Sequence, residues 1–175
     1  YYVAQMSDSI NMAKFKGFLK QGIEAIYSRG KNNGFYMGIP FIWCSNNLVV
    51  AALTQLKLYR KLTGDINYME MECALRDWLF GCNPWGTSMI IGYPGDGDTP
   101  VDPHSALTAV FNYKIDGGLV DGPVYGAIFN RLWGLKLVND DEYSDFQSDL
   151  CVYHDDYGDY STNEPTMDGT ASLTY

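Results

Sequence analysis

From Ser9 to Arg29 apolar side chains recur every three or four positions, through Ile10, Phe15, Phe18, Leu19, Ile23 and Ile26. Such spacing gathers them on one stripe and predicts an amphipathic helix ended by Gly30 and the polar 31–34 stretch. Ser45 or Asn46 offers an N-cap for a second helix, with the stripe Leu48, Ala52, Leu56, Tyr59 and Leu62 and a terminal Gly64. A third helix is expected just after Asp65, carrying Met69, Leu75 and Leu79 and stopping at Gly81. Between Asn83 and Asp121 the periodicity lapses into glycines, prolines and aspartates, with room for one short helix over 106–113. Irregular stretches of that length are uncommon between helices and tend to carry function. A helix over 122–138 is expected next, with Pro123 in its first turn and Val124, Ile128, Leu132 and Leu135 on its stripe. After a polar loop, 139–163, a last helix is expected to begin at Pro165. These elements predict an all-α fold of helix–loop–helix units, which suits an α/α toroid and equally a bundle.

Composition narrows the partners. Apolar residues make up 46% of the 175, enough for a sizeable core, and the formal charge of −9 with no basic patch excludes a nucleic-acid partner. No apolar run approaches the roughly 20 residues that span a bilayer, so no membrane partner is expected. The first residue is Tyr1 rather than methionine, and the last lies in an apolar, alanine-containing run, so both ends read as cut. Aromatic residues, at 15%, exceed what a core needs. Rings with acids and amides between them suit a sugar site, where a pyranose face stacks and its hydroxyls take hydrogen bonds. A Tyr-rich helical core with wet rims accounts for them equally well. Trp43 and Trp85 fall in loops and are stacking candidates; Trp78 and Trp133 fall within expected helices and belong to the core. Cys44, Cys73, Cys82 and Cys151 form no C-x-x-C or zinc pattern and are expected as small buried thiols, with a disulfide allowed for if the protein is exported.

The densest chemistry is DDYGDYSTNEPTMDG, which gathers Asp155, Asp156, Asp159, Glu164 and Asp168. Crowded carboxyls raise one another's proton affinity, and a carboxylic acid kept protonated near neutrality is what general-acid catalysis needs. Glu164, directly before Pro165, would sit at the N-cap of the last helix. Two simpler roles compete with catalysis for these acids: they favour a helix N-terminus, and carboxylates bind calcium. The helix dipole works against a proton donor there, and rings such as Tyr157, Tyr160 and Trp85 would have to supply apolar cover.

The segment DDYGDYSTNEPTMDGTA resembles the C-terminal signature of glycoside hydrolase family 9, an Asp-x-x-Asp-Tyr-x-x-Asn-Glu string matched by Asp156, Asp159, Tyr160, Asn163 and Glu164. Two further stretches agree in order: an Asn-Pro…Ser…Gly…Pro-His loop through Asn83, Pro84, Ser88, Gly92, Pro103 and His104, and a Gly-x-Leu-Val-x-Gly-Pro turn through Gly117, Leu119, Val120, Gly122 and Pro123. The resemblance covers the chain from about Asn46 onwards. It implies the truncated C-terminal portion of an (α/α)6 barrel and an inverting β-1,4-glucanase whose general acid falls on Glu164. It further implies a sugar contact by His104, and Tyr160, Asp156, Asp159 and the loop tryptophans Trp85 and Trp43 are further substrate-binding candidates; a β-glucan polysaccharide or oligosaccharide substrate, no cofactor beyond an allowed structural calcium, a monomer, and secretion or a periplasmic location are expected. For His104 a plain hydrogen-bonded loop histidine is the alternative, and for Tyr160, packing. The family's base comes from an Asp-Ala-Gly-Asp motif that is not in this sequence, so the chain alone is expected to lack activity. PHSAL replaces the second His and the Arg that follow Pro-His in many relatives, and Asn-Glu-Pro-Thr-Met replaces Asn-Glu-Val-Ala. These departures point to a divergent branch with altered subsite preference. A non-catalytic sugar-binding helical domain, or a toroid enzyme acting on another glycan or on oligosaccharides, remains the alternative function.

Overall fold

The structure, a computed structural model, describes residues 1–175. It contains a short helix α1 (Tyr2–Met6), two long helices α2 (Ser9–Gly30) and α3 (Ser45–Thr63), and α4 (Met69–Leu79). The single-turn helix α5 (Ala106–Ala109), strand β1 (Leu119–Val120), helix α6 (Gly126–Phe129), strand β2 (Pro165–Thr166) and helix α7 (Met167–Leu173) follow. The four helices read from periodicity in the first half of the chain and at its end are present. No helix is long and apolar enough to cross a membrane.

α3 is the hub, packing against α2, α4 and α7. Its stripe Val49, Ala52, Leu56 and Tyr59 is buried and meets Ile23 of α2 and Met71, Leu75, Trp78 and Leu79 of α4. Gly64 closes it in the left-handed conformation, φ 75°, where a side chain would be strained. Asp8 caps α2 by accepting from the Asn11 amide at 2.8 Å. The expected stripe of α2 is only partly used, since Ile10 and Phe18 lie on its exposed side.

The start of α3 departs from expectation. Neither Ser45 nor Asn46 caps it: the N-cap is Cys44, left-handed at φ 56° and making no side-chain cap. Instead the turn after β1 closes the helix end. The Asn46 amide donates to the Asp121 carbonyl at 2.9 Å, Asn46 Nδ2 to Val120 O at 2.9 Å and Ser45 Oγ to Pro123 O at 2.8 Å. One orphan amide of the helix N-terminus, that of Asn46, is thereby satisfied by a distant loop. Two glycines permit the approach: a Cβ on Gly122 would lie 2.3 Å from the Asn46 side chain, and one on Gly169 would lie 2.0 Å from Asn47 Oδ1.

Two further expectations are corrected. The helix over 122–138 shrinks to α6, because Val124 is drawn into an antiparallel bridge with Val152 and the buried Asp156 carboxylate takes the amides of Val138 and Asn139 at 2.8–3.0 Å. Trp133 consequently leaves the core and is 93% exposed. The last helix begins at Met167, not Pro165: Pro165 and Thr166 pair antiparallel with Val120 and Leu119. Proline fits because Val120 and Pro165 face each other at a position where the strand amide points away; Val120 N–H goes to Met89 O at 3.0 Å. The thiols also differ from expectation: of the four free cysteines Cys151 is buried, Cys44 and Cys73 are half-buried and Cys82 is exposed.

Candidate active site

Glu164 lies in the bend that leads into β2, three residues before the first residue of α7 rather than at its cap. Its carbonyl accepts the Asp121 amide at 2.9 Å, and its side chain is exposed on a groove of about 740 Å³. His104, Ile115, Asp116 and Thr166 line the same groove. A slightly larger hollow, about 810 Å³, lies between α3, α4 and α7 and is walled mainly by Val50, Leu53, Leu79 and Leu173 with Arg60 paired to Glu72. The smaller groove is the candidate site, because it alone joins a carboxyl from the acidic segment to the Pro-His loop.

Asn163 fixes the acid's position from behind. Its Nδ2 donates to Asp102 O at 3.0 Å and to Asp155 Oδ1 at 2.9 Å, while its Oδ1 accepts the Tyr153 hydroxyl at 3.2 Å and its carbonyl accepts the His104 amide at 2.9 Å. Asn163 therefore ties the loop of His104 to the segment that carries Glu164. Asp155 also accepts the amides of Val101 and Asp102 at 2.6 and 3.1 Å. Burial pushes its carboxyl up, against the pull of these hydrogen bonds.

An aromatic string runs beside the acid. Trp43, 45% exposed, stacks on Tyr160 with ring centroids 6.2 Å apart and planes 12° apart. Tyr160 meets His104 edge-on at 6.2 Å, and His104 stacks on Tyr157 at 5.2 Å. The Tyr160 hydroxyl donates to Trp133 O at 2.9 Å, holding the ring upright. His104 Nδ1 donates to Tyr157 O at 2.5 Å, which settles the tautomer and leaves Nε2 without a protein partner. Two half-exposed rings with a polar tip are what a pyranose face and its hydroxyls require.

Three of the residues expected as sugar contacts lie buried in this chain. The Trp85 ring is 5% exposed, packs on Trp78 and Tyr153 and donates Nε1–H to Gln147 at 3.2 Å, as a core side chain does. Asp156, 4% exposed, spends its carboxylate on backbone amides of residues 138, 139 and 158. Asp159 is fully buried and accepts from His154, Ser161 and Thr162. Both aspartates shape the loop that delivers Asn163 and Glu164. No three His, Cys, Asp or Glu side chains converge as a metal-holding group.

One residue of the site was not singled out from the sequence. Asp121 is 4% exposed, and burial pushes its carboxyl up to about 7, opposed by a hydrogen bond from the Cys44 thiol and reinforced by the charges of Glu164, Asp159 and Asp168. Cys44 itself is pushed up to about 12, by burial first and then by Asp121, so its thiol keeps its proton and acts as the donor. Asp121 lies inside the GGLVDGPV turn, at a position of the motif that the resemblance leaves open.

The fold recurs in known proteins. A metagenome-derived glycoside hydrolase family 9 endoglucanase superposes with a TM-score of 0.72 at 23% identity, over 95% of this chain and 28% of its own. A thermostable endoglucanase from Alicyclobacillus acidocaldarius gives 0.71 at 21%, over 95% of this chain and 31% of its own. AaCel9A in complex with cellobiose-like isofagomine gives 0.70 at 20%, again over 95% and 31%. The chain thus spans about 30% of the length of these structures. No curated protein sequence matches it. The profile of glycosyl hydrolase family 9 matches residues 2–175, and the chain belongs to that family. Its mostly helical architecture, with the small β1–β2 ladder, is a portion of the (α/α)6 barrel expected from the sequence.

Proposed function

We propose that the protein carrying this chain hydrolyses β-1,4-glucosidic bonds of cellulose or a related β-glucan with inversion at the anomeric carbon, and that Glu164 is its general acid. One juxtaposition carries this conclusion: the Glu164 carboxyl opens on the groove that also holds His104, with the Trp43–Tyr160–His104 string alongside. The rings hold glucose units by their faces, and His104 Nε2 takes a hydroxyl. Glu164 gives its proton to the departing glycosidic oxygen as the C1–O bond breaks. A water molecule, deprotonated by a second carboxylate about 6.5–9.5 Å from the acid, bonds to the opposite face of C1. No Asp-Ala-Gly-Asp motif is present here, so that base comes from residues outside this sequence, and the chain alone is inactive. Because polymeric glucan is met outside the cytoplasm, the enzyme acts secreted or in the periplasm, as a monomer.

The test is Glu164→Gln in the protein that carries this chain. The amide keeps the shape but has no acidic proton. On cello-oligosaccharides kcat should fall at least ~100-fold, with far less loss on an aryl glycoside whose leaving group needs no proton. Near-normal turnover on the oligosaccharide would remove Glu164 from the role.

A further inference from the structure

The aromatic string reaches the groove of Glu164 only through His104; Trp43 and Tyr160 do not line it. Beyond His104 and Glu164 the walls are aliphatic. Leu107 of α5 is 50% exposed and Met167, the first residue of α7, is 90% exposed. Ala106, Ile115 and Pro165 complete that surface. The hydroxyls among them are mostly engaged by the protein. Thr166 Oγ1 donates to Asn47 Oδ1 at 2.8 Å. Thr170 Oγ1 donates to Thr166 O and accepts the Leu119 amide at 2.9 Å. Ser105 Oγ caps α5 by accepting the Leu107 amide at 3.3 Å. What is left to meet a ligand is the Ser105 hydroxyl proton, the His104 imidazole and the Glu164 and Asp116 carboxyls; no Lys or Arg lines the groove.

This surface discriminates between leaving groups. A glucose unit lying on it would give up water from hydroxyls along both edges and find few partners in exchange, which is unfavourable. It would also find no ring to stack on, since Leu107 and Met167 are aliphatic. An anionic group would meet two carboxyls and no cation. A neutral apolar group gains simply by leaving water, and the unbranched thioether of Met167 can mould itself to an irregular shape. We propose that the enzyme has a further activity on β-glucosides of apolar alcohols, with an alkyl or aryl aglycone lying against Leu107, Ile115 and Met167 and the sugar rings towards Tyr160 and Trp43. This rests on the reading of Glu164 as the general acid and extends it to a second class of leaving group. Glu164 gives its proton to the oxygen joining C1 to the aglycone, the C1–O bond breaks and the alcohol departs. Water, losing one proton to the base, supplies the new hydroxyl at C1.

The experiment uses the whole protein and compares hexyl β-cellobioside with methyl β-cellobioside, dilute enough that no micelles form. Both release simple alkanols that need a proton, so the acid faces the same chemistry and only the apolar length differs. For the hexyl compound kcat/KM should be about tenfold higher or more, the gain from burying two or more extra methylenes. The difference should lie in KM, and calorimetric affinities for Glu164→Gln should show the same preference. Leu107→Asn and Met167→Thr should each lower the hexyl-to-methyl ratio about threefold, and together bring it close to one. Side chains that merely pack would change both substrates alike and leave the ratio in place. A wild-type ratio near one, with Glu164→Gln inactive on both compounds, overturns the aglycone site and leaves the acid standing. A ratio that survives both substitutions overturns the site as well, by placing the apolar contact elsewhere. A Glu164→Gln variant that cleaves both compounds normally overturns the acid itself. Should Leu107→Asn fail to fold, the ratio in Met167→Thr, at a fully accessible position, decides the matter.

Discussion

His154 Nδ1 donates to the Asp159 carboxylate at 2.7 Å in a pocket where Asp159 has no exposed surface and His154 only 5%. Ser161 and Thr162 complete the shell, each by a hydroxyl and an amide. Burial alone would push Asp159 up, but these donors outweigh it and hold its carboxyl below the ordinary aspartate range. A carboxylate held this way stabilises the fold at every pH above the ordinary aspartate value, and that contribution is lost as pH falls through its lower folded value.

Asp159→Asn should therefore destabilise the protein by about 3 kcal/mol at pH 7, the cost of leaving buried donors without their anion. Denaturant unfolding at pH 7 and in acid checks this, and the difference between wild type and variant should narrow below pH 4. An unchanged midpoint at neutral pH would mean the shell reorganises without cost.

Asp121 has the opposite sign. Its raised carboxyl binds a proton more tightly folded than unfolded, so its contribution is full below the ordinary aspartate value and is lost as pH rises towards about 7. Asp121→Asn should remove that decline, gaining at pH 8 an upper bound of about 4 kcal/mol relative to wild type. Melting temperatures from pH 4 to pH 8 read the slope directly.

Trp43→Ala should leave the fold intact and weaken oligosaccharide binding about tenfold, since a half-exposed stacking ring contributes about 1 kcal/mol or more to a ligand face. The readout is KM or calorimetric affinity, and a kcat loss without any change in affinity would place Trp43 outside the sugar path.

Trp85→Ala should do the reverse. A ring buried against Trp78 and Tyr153 costs about 3–5 kcal/mol when truncated. Trp85→Phe, which keeps most of the volume, should recover stability with substrate affinity unchanged. Weakened affinity in a stable Trp85→Phe variant would return this ring to the binding site.

The long helices were legible because amphipathic periodicity is local and the glycine that ends α3 acts through its own φ. Trp85 and Trp133 were misplaced for one common reason. Local pattern assigns a residue to a loop or a helix, whereas burial depends on which distant segment arrives beside it: Tyr153 covers Trp85, and the bridge from Val124 to Val152 dissolves the helix that would have carried Trp133 inward. Asp156 and Asp159 stand in the motif as read, but the amides and hydroxyls they hold are set by the loop's path and could not be read from it.

The sequence by itself determined the helical framework, the family and the acidic segment that ends in Glu164, because these rest on spacing within short stretches. Only the tertiary structure decided that Glu164 precedes a strand, that Asp121 stands across the ladder from it and that Cys44 points its thiol there. Those relations join segments 43 and 77 residues apart in the chain, from 121 to 164 and from 44 to 121. Side chains so distant in sequence meet only when the backbone hydrogen bonds between them have formed, and no local pattern encodes that pairing.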